Sequence, residues 1–326
     1  MNEDLHSSLV VIDGLIISNW SREVFEDMQR GGITAANCTC SVWENNRDTM
    51  IFIARWRRWF REHEDLIRPV RTADDIRKAK EENRVGIILG WQNTAGFEDR
   101  LDFIELYKDM GVGVMQLTYN TQNLVGAGCW EENDSGLTGF GREVVDEMNR
   151  VGVLIDLAHV GLKTADDAIR HSKKPCAYTH VSSKTVHDHP RNKTDDQLRF
   201  IVDRGGFVGM TTYPFLLPKG ADTDLDDCLD AMEHMINVCG EANVGIGTDF
   251  GQNATEESLD RLRQDKGYAR RVVAARGVPL ETKGLNKLSQ FPRLTQTMQK
   301  RGWTESRIAA VMGENWLRFL GEVWDV

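Results

Sequence analysis

Apolar residues along this chain gather into eight short runs. They lie at 9–17 (LVVIDGLII), 33–42 (ITAANCTCSV), 84–91 (RVGIILGW), 112–119 (VGVMQLTY), 151–159 (VGVLIDLAH), 175–180 (PCAYTH), 206–213 (GFVGMTTY) and 243–250 (NVGIGTDF). Each is short enough for a strand and nearly continuous in apolar character, as expected of strands buried on both faces. Between the runs the period changes. Stretches such as 22–30 (REVFEDMQR), 100–110 (RLDFIELYKDM), 142–150 (REVVDEMNR), 195–204 (DDQLRFIVDR) and 225–238 (LDDCLDAMEHMINV) repeat apolar residues at i, i+3, i+4 and i+7. That is the spacing of amphipathic helices. Glycine closes several of them, at Arg30-Gly31-Gly32, Met110-Gly111, Val151-Gly152 and Gly205-Gly206, where helix C-caps place it.

Strand–helix alternation with short links predicts an α/β fold on a parallel sheet. Eight units in one chain favour a closed (β/α)8 TIM-type barrel over an open sheet. About 75 residues follow the eighth run. They predict extra C-terminal helices, including 304–324 (TESRIAAVMGENWLRFLGEVW). No repeat, linker or low-complexity tract interrupts the pattern, so residues 1–326 are expected to form a single domain.

Composition narrows the partners. The formal charge is −10 over 326 residues, and an acidic balance argues against nucleic acid and anionic membrane. The segment MNEDLHSSL lacks the basic start of a secretory signal. Asp13 and Gly14 break the first apolar run far short of the roughly 20 residues that span a bilayer. Six cysteines form no CxxC pair. The expectation is a cytoplasmic protein with reduced thiols. Cys38 and Cys40 would share one face of a strand and read as small buried core residues.

Barrel enzymes carry their sites at the C-terminal ends of the strands. The ends of runs five, six and eight here supply His159, His180 and Asp249. Imidazole nitrogens suit zinc, and a nearby carboxylate can take a proton from activated water. Asp156 alternates with His159 in direction and is expected to support structure. His6, His63, His171, His187, His189 and His234 fall in predicted helices, loops or the tail and read as solvated. Aromatic residues crowd the same strand ends: Trp43, Trp91, Tyr119 and Tyr213, with Trp130 in a loop. They read either as packing or as a pocket that grips an ammonium group through ring faces.

The block 136–160 (GLTGFGREVVDEMNRVGVLIDLAHV) closely resembles the membrane (renal) dipeptidase family, zinc-dependent barrel hydrolases of the amidohydrolase superfamily. Segments 179–198, 244–251 and 312–320 are similar to it in register. The resemblance implies two zinc ions and a homodimer. It places a strand-one His-x-Asp pair on Leu15 and Ile17, and a bridging glutamate on Gln92. It places the histidines of the second metal on His159 and His180, and the aspartate that works on water on Asp249. A substrate-contacting histidine falls on Tyr119, and an arginine that receives the substrate carboxylate falls on Arg191.

Both strand-one ligands are therefore absent, and a neutral amide stands for a carboxylate. What remains is a site for at most one zinc per chain, or none, built on His159 and His180 with the Gln92 oxygen or Asp249 as a further ligand. Tyr119, Tyr213, Trp91 and Arg191 would contact a carboxylate-bearing small molecule. Three functions stay open at this point. One is a dipeptidase-like hydrolase of a dipeptide or small amide with Asp249 as base. The second is a metal-independent enzyme on a small carboxylate or ammonium metabolite. The third is a non-catalytic binding homologue.

Overall fold

The computed structural model describes residues 3–274 and 281–324. Within them the apolar runs become β1 (Ile12–Ile16), β2 (Ala35–Ser41), β4 (Val85–Trp91), β5 (Val112–Gln116), β6 (Leu154–Asp156), β7 (Ala177–Val181), β8 (Phe207–Met210) and β9 (Val244–Ile246). The short β3 (Ile67–Pro69) precedes β4. Every pairing is parallel. The order runs β2-β1-β9-β8-β7-β6-β5-β4, and a pairing of β2 with β4 closes the ring. β3 lies outside that ring, paired only with the first residues of β4. Parallel strands need crossovers, and helices such as Arg22–Arg30, Asp102–Asp109, Gly139–Val151, Asp195–Asp203 and Leu225–Cys239 provide them. The (β/α)8 barrel expected from the sequence is the fold of the chain.

Local chemistry fixes the helix starts. Thr194 and Gln197 form a reciprocal capping box at Asp195–Asp203, which satisfies two backbone donors that would otherwise be orphaned. Gly152 ends Gly139–Val151 at φ +70°, a left-handed turn that costs a glycine nothing.

The extra C-terminal helices have a defined place. Ile12, Ala35, Ile88, Val114, Leu154, Ala177 and Phe207 form an apolar layer near the strand starts. Trp316, Phe319, Leu320, Val323 and Trp324 of helix Asn315–Trp324 pack onto it. Trp316 Nε1 donates to Ile246 O at 2.8 Å and Trp324 Nε1 to Gly113 O at 3.1 Å. The barrel makes room for this plug. A Cβ at Gly245 would stand 2.6 Å from the Trp316 ring, and one at Gly209 would stand 2.0 Å from Thr179 O. The helix therefore seals the N-terminal mouth and leaves the opposite rim for the site. It is not continuous with the segment before it: a wider π turn, Ala310–Glu314, separates Glu305–Ala309 from Asn315–Trp324.

Candidate active site

The C-terminal rim opens into a cavity of about 1050 Å³ lined by His159, Asp249, Arg191, Gln92, Tyr119 and Tyr213 among others. His159 lines it, and the fully buried His180 stands behind, with the two Nε2 atoms 3.0 Å apart. Hydrogen bonds on the far side of each ring decide which nitrogen carries the proton. His159 Nδ1 lies 2.8 Å from Asn120 Oδ1, an oxygen that can only accept, so Nδ1 donates. His180 Nδ1 lies 2.7 Å from Thr179 Oγ1. That hydroxyl donates to the Asp156 carboxylate at 2.7 Å, so it accepts from His180. Both Nε2 atoms are thereby left with bare lone pairs. Burial, with Arg191 adding to it, holds both imidazoles well below their ordinary pKa.

Asp156 thus supports structure, as its strand parity suggests: it also accepts from the backbone N–H groups of Ala158 and Thr179. An equivalent device stands further round the barrel, on the other side of β8. Asp13 on β1 accepts from Thr248 N and Thr248 Oγ1, and Thr248 precedes Asp249 as Thr179 precedes His180. Asp249 takes a φ of +60°, a conformation uncommon for a residue with a Cβ and one that collects at functional sites. Its N–H donates to Leu15 O at 3.0 Å. Its carboxyl faces the cavity, and burial raises its pKa to about 7, with Arg191 opposing and Asp13 and Asp156 reinforcing the rise.

Arg191 is buried. Its guanidinium donates to Ala158 O and, at 3.1 Å, to His180 O, so it braces the backbone at both histidines while still lining the cavity. Lys193, also buried, donates to Val160 O at 2.7 Å. The carbonyls on either side of His159 are each capped by a cation from one loop. Gln92 Nε2 donates to Thr39 Oγ1 at 2.9 Å, and no protein group among the described residues bonds its Oε1. Tyr119 stacks on His159, with ring centroids 4.3 Å apart, and meets Trp43 edge-on at 5.2 Å. Ile17 lines the cavity, whereas Leu15 is buried away from it.

Two expectations need correction. Trp91 does not reach the cavity: it is 1% exposed and packs against Tyr107 outside the ring, 4.5 Å between centroids. Strand alternation sends Gln92 inward and Trp91 outward. His6 is not solvated. It is buried, with Nδ1 on Thr295 Oγ1 at 2.7 Å and Nε2 on Gly31 O at 2.8 Å. His189 is half-buried and lines the cavity. Sequence reading missed Asn120, whose φ of +60° turns its amide onto His159. It also missed Gln116, whose amide joins Gln92 O to the backbone N–H of His159. Their one signal was a polar side chain within or just past an apolar strand.

No group of three or more His, Cys, Asp or Glu side chains placed to hold a metal occurs among the described residues. What the site offers is two imidazole nitrogens with both outer nitrogens tied down, the donor type zinc takes but one short of the three protein ligands of a catalytic zinc site. No helix among the described residues is long and apolar enough to cross a membrane.

A parallel barrel with histidines and an aspartate at its C-terminal rim is an amidohydrolase-type architecture. Residues 20–269 and 274–326 match the model of the membrane dipeptidase family, peptidase family M19, and the chain belongs to that family. Its metallopeptidases are zinc-dependent. An amidohydrolase from Pseudomonas aeruginosa is 50% identical over 99% of both chains, with a TM-score of 0.97. A metallopeptidase from Rhodobacter sphaeroides, solved with a phosphinate mimic of L-Ala-D-Ala, shares the fold at 20% identity. That match covers 97% of this chain and 99% of the other, with a TM-score of 0.82. An uncharacterised dipeptidase of Schizosaccharomyces pombe is 30% identical over 280 residues. The match takes in 83% of this chain and 61% of that longer relative.

Proposed function

We propose that this chain hydrolyses a dipeptide or a comparable small amide bearing a carboxylate, with at most one zinc ion, held by His159 and His180. The convergence of two unprotonated Nε2 atoms 3.0 Å apart carries this reading. When bound there, zinc supplies Lewis acidity that polarises a carbonyl and acidifies water. The rest falls to the chain. Asp249 takes the proton from the attacking water and delivers it to the leaving nitrogen. Arg191 has five donors and spends two on carbonyls, so others stay available for the substrate carboxylate. Leu15, Ile17 and Gln92 supply no anionic ligand where the family resemblance puts three ligands, which supports one metal rather than two.

A second reading has its own observation. Asp249 near pKa 7 is poised for proton transfer at neutral pH without a metal. Metal analysis of protein purified without chelators separates the two. The first reading expects about one zinc per chain and turnover abolished by chelation. Full turnover with no zinc would leave the second in its place.

A further inference from the structure

The cavity is larger than a dipeptide requires. At about 1050 Å³ it sits at the upper end of small-molecule sites, and its chemistry is uneven. Gln92, His159 and Asp249 line it at the strand ends, and the surrounding helices add both polar and apolar side chains, Arg55, Glu257, Ser258 and Asp260 among the polar ones. An apolar part of the lining, the arm, is built from residues away from the strand ends. Trp20, Phe52, Trp56 and Trp59 contribute to it, with Leu259 and Leu262 of helix Glu256–Arg263. The tryptophans form one packed cluster, with Trp56 5.1 Å from Trp20 and 5.0 Å from Trp59. Ile17, where the resemblance puts a metal-binding carboxylate, lines the same cavity.

Charge points the same way. Of the carboxylates lining the cavity, Glu44 pairs with Arg261 at 2.7 Å and Asp260 with Arg271 at 3.0 Å. Glu257 is exposed. Asp249 belongs to the strand ends. A substrate ammonium entering the arm finds no unpaired buried carboxylate among the described residues, and burying it there unpaired would be costly. Arg55 does not alter this, because it is exposed and lies over the Phe52 ring at 5.1 Å.

We infer that the arm receives an apolar acyl group, so that the substrate is an N-acylated amino acid rather than a free dipeptide. This deepens the amide-hydrolase reading and rests on it for orientation. The substrate carboxylate belongs to the leaving amino acid and meets Arg191, which directs the acyl side into the arm. The water oxygen bonds to the acyl carbon, the C–N bond breaks, and the nitrogen takes the proton from Asp249. The products are a free carboxylic acid and a free amino acid.

The test uses the full chain with N-acetyl-, N-butanoyl- and N-octanoyl-alanine of both hands, and Ala-Ala as the free dipeptide. Calorimetry reads binding and amine release reads hydrolysis. Affinity is expected to rise about three- to fourfold for each methylene buried. The ratio of octanoyl to acetyl affinity should fall at least tenfold in Phe52→Gln and in Leu262→Gln. Being a ratio, it is insensitive to a loss of folded protein. Affinity independent of chain length, or Ala-Ala bound more tightly than the octanoyl compound, would overturn the inference. Length-dependent binding with no amine release would keep the arm and sink the hydrolase reading. Amine release without length dependence would do the reverse.

Discussion

His159 Nε2 and His180 Nε2 face each other at 3.0 Å, and the hydrogen bonds at the two Nδ1 atoms assign the ring protons away from them. Two lone pairs at that distance repel unless a cation or a shared proton lies between them. Burial and Arg191 work against the proton. The expected outcome is that His159→Ala and His180→Ala each lose bound zinc to background and lose turnover together, because neither nitrogen holds the ion alone. Metal content and rate on the same preparations check this. Retention of stoichiometric zinc by either variant would contradict it.

The outer hydrogen bonds should matter nearly as much. Thr179→Val keeps the shape of the side chain but removes the hydroxyl that joins His180 Nδ1 to Asp156. His180 is then free to carry its proton on Nε2, the wrong tautomer for a ligand. Zinc affinity is expected to fall about 10- to 100-fold, and the loss of a buried hydrogen-bonding partner to destabilise the fold by about 1–3 kcal/mol. A competition titration with a zinc dye reads the first and urea unfolding the second.

In the proposed mechanism Asp249 acts in its ionised form, and burial raises its pKa to about 7. Without metal, kcat/KM should therefore climb with pH up to about 7 and level above it. A bound cation nearby stabilises the carboxylate and moves that limb to lower pH. The position of the limb with and without zinc reports whether the ion sits beside Asp249. Asp249→Asn is expected to lower the rate about 10²- to 10⁴-fold and to erase the limb, which a pH–rate profile of both proteins would show.

How much of this was legible in the chain follows from what each residue depends on. All eight ring strands announce themselves, because burial on both faces forces continuous apolar runs. β3 does not, since Ile67–Pro69 is three residues of mixed character. His159, His180 and Asp249 stand out as polar residues at the ends of apolar runs. Trp91 misled because one residue of phase separates cavity from outer face, and Gln92 takes the inward place. Asn120 and Gln116 could not be assigned, because their roles lie in partners contributed by other strands. The π turn at Ala310–Glu314 left no mark in an unbroken apolar helical pattern.

Asp13 links the site to stability. It is fully buried, and burial raises its pKa from 3.8 to about 6. The native state keeps this proton at pH values where the unfolded chain has released it. Its favourable contribution is whole below pH 3.8 and is lost as pH rises through about 6, by up to about 3 kcal/mol. Asp13→Asn can keep the same contacts: its amide oxygen accepts from Leu15 N and Thr248 N, and its nitrogen donates to Thr248 Oγ1. The variant should therefore gain stability relative to the natural chain as pH rises from about 4 to about 6. Urea unfolding of both proteins at four pH values gives the difference, and a constant difference would refute the assignment.

The apolar strand-one positions make the sharpest test of the proposed one-metal site. Leu15→His, Ile17→Asp and Gln92→Glu together would restore the ligand types that the family resemblance places there. Two new carboxylates at this rim repel Asp249 and each other, and Leu15 is buried, so an imidazole there must find a partner or be held neutral. Without metal the triple variant should be less stable than the natural chain, by several kcal/mol if the charges stay unpaired. Zinc should reverse this, since an ion bound only by the folded state adds about 4 kcal/mol at a thousand times its dissociation constant. The expected result is a melting temperature that rises steeply with zinc in the variant and modestly in the natural chain, with metal content moving from one ion to two. If instead the natural chain already binds two ions, Leu15, Ile17 and Gln92 are not the positions that limit the site.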